Sequence, residues 1–224
     1  MTFTVDVPTK VLFGAGQLNE LGKQSLPGKK ALLLISNGKS TKANGYLDRT
    51  EQQLSQAGVE YAIFAEIEPN PLKSTVMRGA AFARENGCDF IVALGGGSVM
   101  DASKAIATMA TNDGDLWDYV GGGTGKGLPF PKAPLPIVAI TTTAGTGSEV
   151  DQWGVITNEE TNEKIGFGGP DSLFPVLAIV DPELMLPVPP QYTAYQGFDA
   201  LFHSLEVYIS KYANLMSDMV AITS

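Results

Sequence analysis

The chain's apolar residues follow two rhythms. Phe90–Leu94 is an unbroken apolar run, as expected of a strand covered on both faces. Shorter or more mixed runs at Thr9–Phe13, Ala31–Ile35, Glu60–Phe64, Pro136–Ile140 and Leu177–Val180 predict further strands. Helical stretches are predicted between them: Gln17–Gln24, Leu47–Ala57 closed by Gly58, Lys73–Asn86 closed by Gly87, and Ser98 to about Asn112. In the last of these Val99, Ala102, Ala105 and Ile106 keep one face apolar, and Ser98 is the expected N-cap. Val155–Thr157 and Ile165–Phe167, split by the polar run Asn158–Lys164, predict a hairpin. Strands alternating with helices imply an α/β fold, a Rossmann-like parallel sheet with helices on both faces.

The rhythm changes after Pro182, Pro187, Pro189 and Pro190. From Gln191 the positions Tyr195, Phe198, Leu201, Phe202, Leu205, Tyr208 and Ile209 recur at helical spacing. The expected division is therefore an α/β domain over 1–187 and the beginning of a helical domain over 188–224. Gly121–Pro134, rich in Gly, Pro and Lys, is expected to be an exposed loop, and no internal repeat is visible.

Ligands of open parallel sheets sit beyond the C-terminal strand ends. Three polar loops lie there: Ser36–Ser40, Gly95–Ser98 and Thr141–Ser148. Gly95-Gly96-Gly97-Ser98 turns from the apolar run directly into a helix, whose free N–H groups and positive dipole end suit a phosphate. The motif is neither GxGxxG nor a P-loop, so by itself it fits a tight connection as well. Three such loops together favour binding.

Composition narrows the chemistry. A formal charge of −9 argues against nucleic acid or an anionic membrane surface as partner. No basic-then-apolar leader begins the chain, and no apolar stretch approaches membrane-spanning length, so a soluble cytoplasmic protein is expected. The single Cys88 rules out an internal disulfide and reads as a buried or half-buried thiol. The single histidine, His203, means that no multi-histidine metal site and no histidine pair can be completed within these residues. Asp199 and His203 stand at i and i+4, so on a helix they share a face and could reach one ion, Fe²⁺ or Zn²⁺ by donor type. The same spacing also serves an ordinary hydrogen bond on a helix surface.

Taken in order, Pro8–Gly16, Pro69-Asn70-Pro71, Gly95–Ser98 with Asp101 and Lys104, Thr142–Glu149, Asp181-Pro182 and Gly197–His203 resemble the iron-containing (group III) alcohol dehydrogenases. The lactaldehyde reductase, propanediol dehydrogenase and butanol dehydrogenase subgroup is the one resembled most. The resemblance implies a dehydroquinate synthase-like dinucleotide domain, a helical second domain and a divalent metal between them. It implies that Gly96, Gly97 and Ser98 hold the pyrophosphate, with Asn70 near the nicotinamide. Thr142, Thr143, Thr146, Lys164 and the segment from Leu184 would contact the dinucleotide. Asp199 and His203 match the first two metal ligands. The family's other two are histidines further along, and the chain ends at Ser224 before them, so a fragment or an incompletely represented enzyme is expected. Asn37 stands where NAD-preferring members carry Asp, and Lys39 follows it, so NAD is expected with NADP close behind.

The implied activity is reversible hydride transfer between a short-chain alcohol or diol, or its aldehyde, and NAD or NADP, with Fe²⁺ (Zn²⁺ second) as metal and a homodimer as assembly. The alternative is a non-catalytic dinucleotide-binding fragment or assembly module. Glycerol dehydrogenases and dehydroquinate synthases, zinc-using and more distant, are disfavoured by the serine after the glycines and by the Asp199–His203 segment.

Overall fold

The structure, a computed structural model, describes residues 2–224. Six strands form one parallel sheet: β1 (Lys10–Phe13), β2 (Lys30–Ser36), β3 (Glu60–Ile67), β4 (Phe90–Gly95), β5 (Ile137–Thr141) and, after a hairpin, β8 (Leu177–Val180). Their order across the sheet is β1-β8-β5-β4-β2-β3. The hairpin pairs β6 (Trp153–Asn158) antiparallel with β7 (Glu163–Gly168), as the polar run between two apolar segments predicts. The helices are α1 (Ser40–Ala43), α2 (Tyr46–Gln56), α3 (Lys73–Glu85), α4 (Gly97–Thr111), α5 (Leu116–Tyr119), α6 (Pro190–Ile209) and α7 (Leu215–Thr223).

Because successive side chains of a strand point to opposite faces, each central strand feeds two apolar layers. Leu32, Leu34, Ile91, Ala93 and Ala139 pack toward α3, α4 and the hairpin. Ala31, Leu33, Ile35, Phe90, Val92, Leu94, Val138 and Ile140 pack on the other side with Leu47 and Leu54 of α2 and with Leu18 and Leu21. This explains why Phe90–Leu94 could afford no polar residue: all five are fully buried.

Two expectations need correction, and one short helix went unpredicted. Gln17–Lys23 is a 3₁₀ helix rather than an α-helix, held because the buried Asp181 carboxylate accepts from the N–H groups of Gly16 and Leu18, each at 3.1 Å. Ser98 is not the cap of α4. That helix begins one residue earlier with Gly96 as N-cap, and the Ser98 hydroxyl instead accepts from the Asn70 N–H at 3.2 Å. The short α5 follows Asp113-Gly114, a turn-like pair that carries no apolar period, and is fixed by a capping box between Asp115 and Asp118.

The α6–α7 pair follows Pro189, in agreement with the change of rhythm. Neither helix has a buried residue, and Phe198, Phe202, Tyr208, Ile209, Leu215 and Ile222 are exposed.

Candidate functional site

Two strands set the place. From β2 the chain moves outward to β3, then returns to the other side of β2 for β4 and continues to β5 and β8. The connections leaving β2 and β4 therefore diverge, and a crevice opens between their C-terminal ends. A cavity of about 440 Å³ lies there, lined by Ser36, Asn37 and Gly38 from β2 and by Gly96, Gly97 and Ser98 from β4. Tyr192 of α6 and Thr143 form other parts of its wall.

The Gly-rich turn is shaped by a close approach. A Cβ on Gly97 would stand 2.8 Å from a Thr146 side-chain carbon, and one on Gly96 would stand 3.0 Å from the Thr143 hydroxyl. The threonine loop thus lies directly on the turn, and only glycine fits beneath it. The N–H groups of Val99 and Met100 both donate to the Gly96 carbonyl, at 2.9 and 3.2 Å. Those of Gly97 and Ser98, the first two residues of α4, have no intrahelical acceptor and face the cavity's end, an arrangement fitted to an anion.

On either side of this crevice lie two further cavities. One, about 290 Å³, is walled by Thr41, Asn44, Tyr46, Thr142, Thr143 and the 184–189 segment. Tyr46 is almost fully buried there, and its hydroxyl has no hydrogen-bond partner among the described residues. The other, about 420 Å³, collects Asn70, Pro71, Gly97, Ser98, Asp101, Thr146, Val155, Lys164 and Asp199. Asn70 holds a left-handed backbone conformation, φ +56°, rare for a residue with a side chain. There its side-chain oxygen accepts from Lys164 Nζ at 2.7 Å while its N–H reaches Ser98, so the hairpin and the Gly-rich turn are tied through it.

The candidate site residues other than His203 line these three cavities; His203 instead lines a separate cavity between α6 and α7, with Val207, Met216 and Val220. Leu184 lines its cavity from the core: it is 1% exposed and contributes an apolar wall. Asp101, Tyr46, Val155 and Tyr192 were not singled out as site residues. Asp101 had a signal, one helical turn beyond the glycines. Tyr46 and Tyr192 had none, because each reaches its cavity through tertiary packing.

Asp199 and His203 share one face of α6, with Oδ1 and Nε2 3.6 Å apart and both side chains about half exposed. Asp199 approaches the threonine loop so closely that a Cβ on Gly145 would stand 2.8 Å from its Oδ2. Gln196, one turn earlier, accepts from the Ala144 N–H at 2.9 Å, and so α6 is seated on that loop. As a test of metal fit, the pair supplies an oxygen and a nitrogen on one side of an ion. Among the described residues no group of three or more His, Cys, Asp or Glu could hold a metal. The two donors fit half of a four-ligand shell.

Further along the hairpin, the Glu163 carboxylate accepts from Thr124 N–H (2.8 Å), the Thr124 hydroxyl (2.5 Å), the Thr161 hydroxyl (2.7 Å) and the Trp117 indole (3.1 Å). These donors, the Thr124 hydroxyl first, lower its pKa to about 2. The Gly121–Pro134 loop is clasped to the hairpin by this one side chain.

A parallel sheet with a glycine turn at its crossover, a threonine loop laid on that turn and an Asp/His helix beside them define a Rossmann-like α/β protein with a ligand-sized crevice at its sheet edge. A family profile described as iron-containing alcohol dehydrogenase matches residues 8–182. The chain belongs to that family. It is 44% identical over 218 residues to 1,3-propanediol dehydrogenase of Klebsiella pneumoniae, covering 96% of this chain and 55% of that one. It is 38% identical over 210 residues to NADH-dependent butanol dehydrogenase A of Clostridium acetobutylicum, covering 94% and 52%. The crystal structure of the archaeal halo-thermophilic Red Sea brine pool alcohol dehydrogenase ADH/D1 superposes with a TM-score of 0.92 at 38% identity, covering 99% and 56%. The chain spans about half the length of the curated relatives it matches. Among the described residues no helix is long and apolar enough to cross a membrane.

Proposed function

We propose that this chain provides the dinucleotide domain, and half of the metal site, of an NAD(P)-dependent alcohol dehydrogenase. The reaction is reversible hydride transfer between a short-chain alcohol or diol and its aldehyde. The observation that carries this reading is the row of three cavities along the C-terminal sheet edge, running from Tyr46 past Gly97 to Asp199. A dinucleotide laid along it has its pyrophosphate at the Gly97 and Ser98 N–H groups and its redox-active end beside Asn70, Lys164 and Asp199.

Lys164 is held by Asn70 and brings a positive charge to that end. Asn37, neutral where a carboxylate would repel a 2′-phosphate, lines the central cavity, so NAD is the first choice and NADP the second. Asp199 and His203 would hold Fe²⁺, or Zn²⁺ by the same donor chemistry, with the remaining ligands from outside the described residues. When bound, the metal supplies Lewis-acid polarisation of a substrate oxygen and the nicotinamide accepts or donates the hydride. The domain division falls near Pro187–Pro190, and the working form is a cytoplasmic homodimer. Similarity to alcohol dehydrogenases favours this reading over the non-catalytic module.

The test pairs NADH binding to this chain, followed by fluorescence, with alcohol-dependent reduction of NAD in the presence of Fe²⁺ by the complete enzyme, each with and without His203→Ala. Binding in both, with metal retention and turnover lost in the variant, is the expected result. Near-normal turnover in the variant sinks the metal assignment, and absence of NADH binding sinks the cofactor assignment.

A further inference from the structure

Lys104 carries a buried charge, its side chain fully removed from solvent two turns into α4. A buried ammonium is tolerated only when its donors are satisfied and its charge is matched. Lys104 meets both conditions through one short segment. Its Nζ donates to the Ser148 carbonyl and hydroxyl, both at 2.8 Å, to Asp151 Oδ1 at 2.6 Å and to the Trp153 carbonyl. The Ser148 hydroxyl in turn donates a hydrogen bond to Asp101 Oδ1 at 2.8 Å, and Asp101 Oδ2 accepts from the Val155 N–H at 3.0 Å. The backbone has no slack here, since a Cβ on Gly154 would lie 2.9 Å from the Asp101 Cα. Burial lowers the Lys104 pKa and raises that of Asp101. The two groups would each be costly alone.

Ser148 ends the threonine loop that lies on Gly97, and Val155 belongs to the hairpin that carries Lys164. One helix face therefore grips both walls of the 420 Å³ cavity, while the Gly-rich turn itself is reached from the other end of the helix. We propose that Lys104 is a positioning residue: its charge fixes the spacing between threonine loop, hairpin and Gly-rich turn, and so sets the affinity for the nicotinamide half of the dinucleotide. This rests on the cofactor reading above.

The test compares NADH with ADP, which carries only the adenosine and pyrophosphate, on this chain and on Lys104→Met. NADH affinity is expected to fall roughly tenfold or more while ADP affinity stays within about twofold, as loss of a buried charge network confined to one cavity requires. A folded Lys104→Met variant with an unchanged NADH-to-ADP ratio overturns the proposal. Should that variant not fold, Ser148→Ala decides. It removes the bridging hydroxyl but not the charge, and is expected to lower the ratio roughly threefold by losing hydrogen bonds; an unchanged ratio again overturns the proposal. If the parent chain binds neither nucleotide, the cofactor reading fails first and this inference falls with it. If it binds both and the variants leave the ratio alone, only the positioning role fails.

Discussion

Sheet and tail use the same apolar residues to opposite effect. In β2, β4 and β5 nearly every side chain is sealed between two layers, and Leu33, Val92 and Ile140 have no exposed surface. In α6 and α7 the apolar positions recur just as regularly, yet Phe198 is 61% exposed and Ile209 78%. Regular spacing produced helices in the tail, but burial requires a second surface to pack against. The first region draws its stability from packing within the described residues, and the second holds its shape chiefly by local hydrogen bonds and the α6–α7 contact.

The largest effect that could break this contrast is a cavity in the sheet. Leu94→Ala, fully buried near the C-terminal end of β4, is expected to cost about 2–5 kcal/mol in urea unfolding. A loss below about 1 kcal/mol would place that strand nearer the tail in character. An intermediate case is the Glu163 clasp, which is polar and accessible to solvent. A carboxyl whose pKa lies at about 2 in the folded loop, against an ordinary 4.5, favours the closed loop above about pH 4.5. That contribution is lost as the pH falls from 4.5 toward 2. In a Trp153→Phe background, Trp117 fluorescence should change across this window and become flat when Glu163→Gln is added. A persisting transition would assign it to another group. The smallest effect is expected in the tail: Leu201→Ala, half exposed on α6, should shift stability by no more than about 0.5 kcal/mol. A loss of 2 kcal/mol or more would mean that a partner surface already covers that face.

The same contrast explains what could be read in advance. Buried parallel strands announce themselves because nothing polar can survive there, so Ala31–Ile35, Phe90–Leu94 and Pro136–Ile140 were visible as runs. In the structure the first two extend by one or two residues and the third is shifted by one. The loops at their ends were legible because Gly and Thr cluster in them. The less legible features depend on partners distant in sequence. Ser98 has the chemistry of a helix cap, and only the arrival of Asn70 reassigns its hydroxyl. Glu163 looks like any hairpin-tip acid until Trp117 and Thr124 converge on it. Tyr46 lay just outside the predicted helix, and it joins a cavity wall only because the 184–189 segment packs nearby. The pairing of Asp199 with His203 could be read because i and i+4 on one helix is a local relation.

The order of strands also governs when the fold can close. β1 pairs with β8 alone, with Lys10 opposite Leu177, and the 3₁₀ turn after β1 hangs on Asp181. At a synthesis rate of ~5–20 residues per second, the first strand waits on the order of ten seconds for the last. During that interval β2, β3, β4 and β5 can already assemble, leaving β5 as a temporary open edge. Of the described strands β1 is thus made before the rest, and it gains its one sheet partner only when β8 is in place.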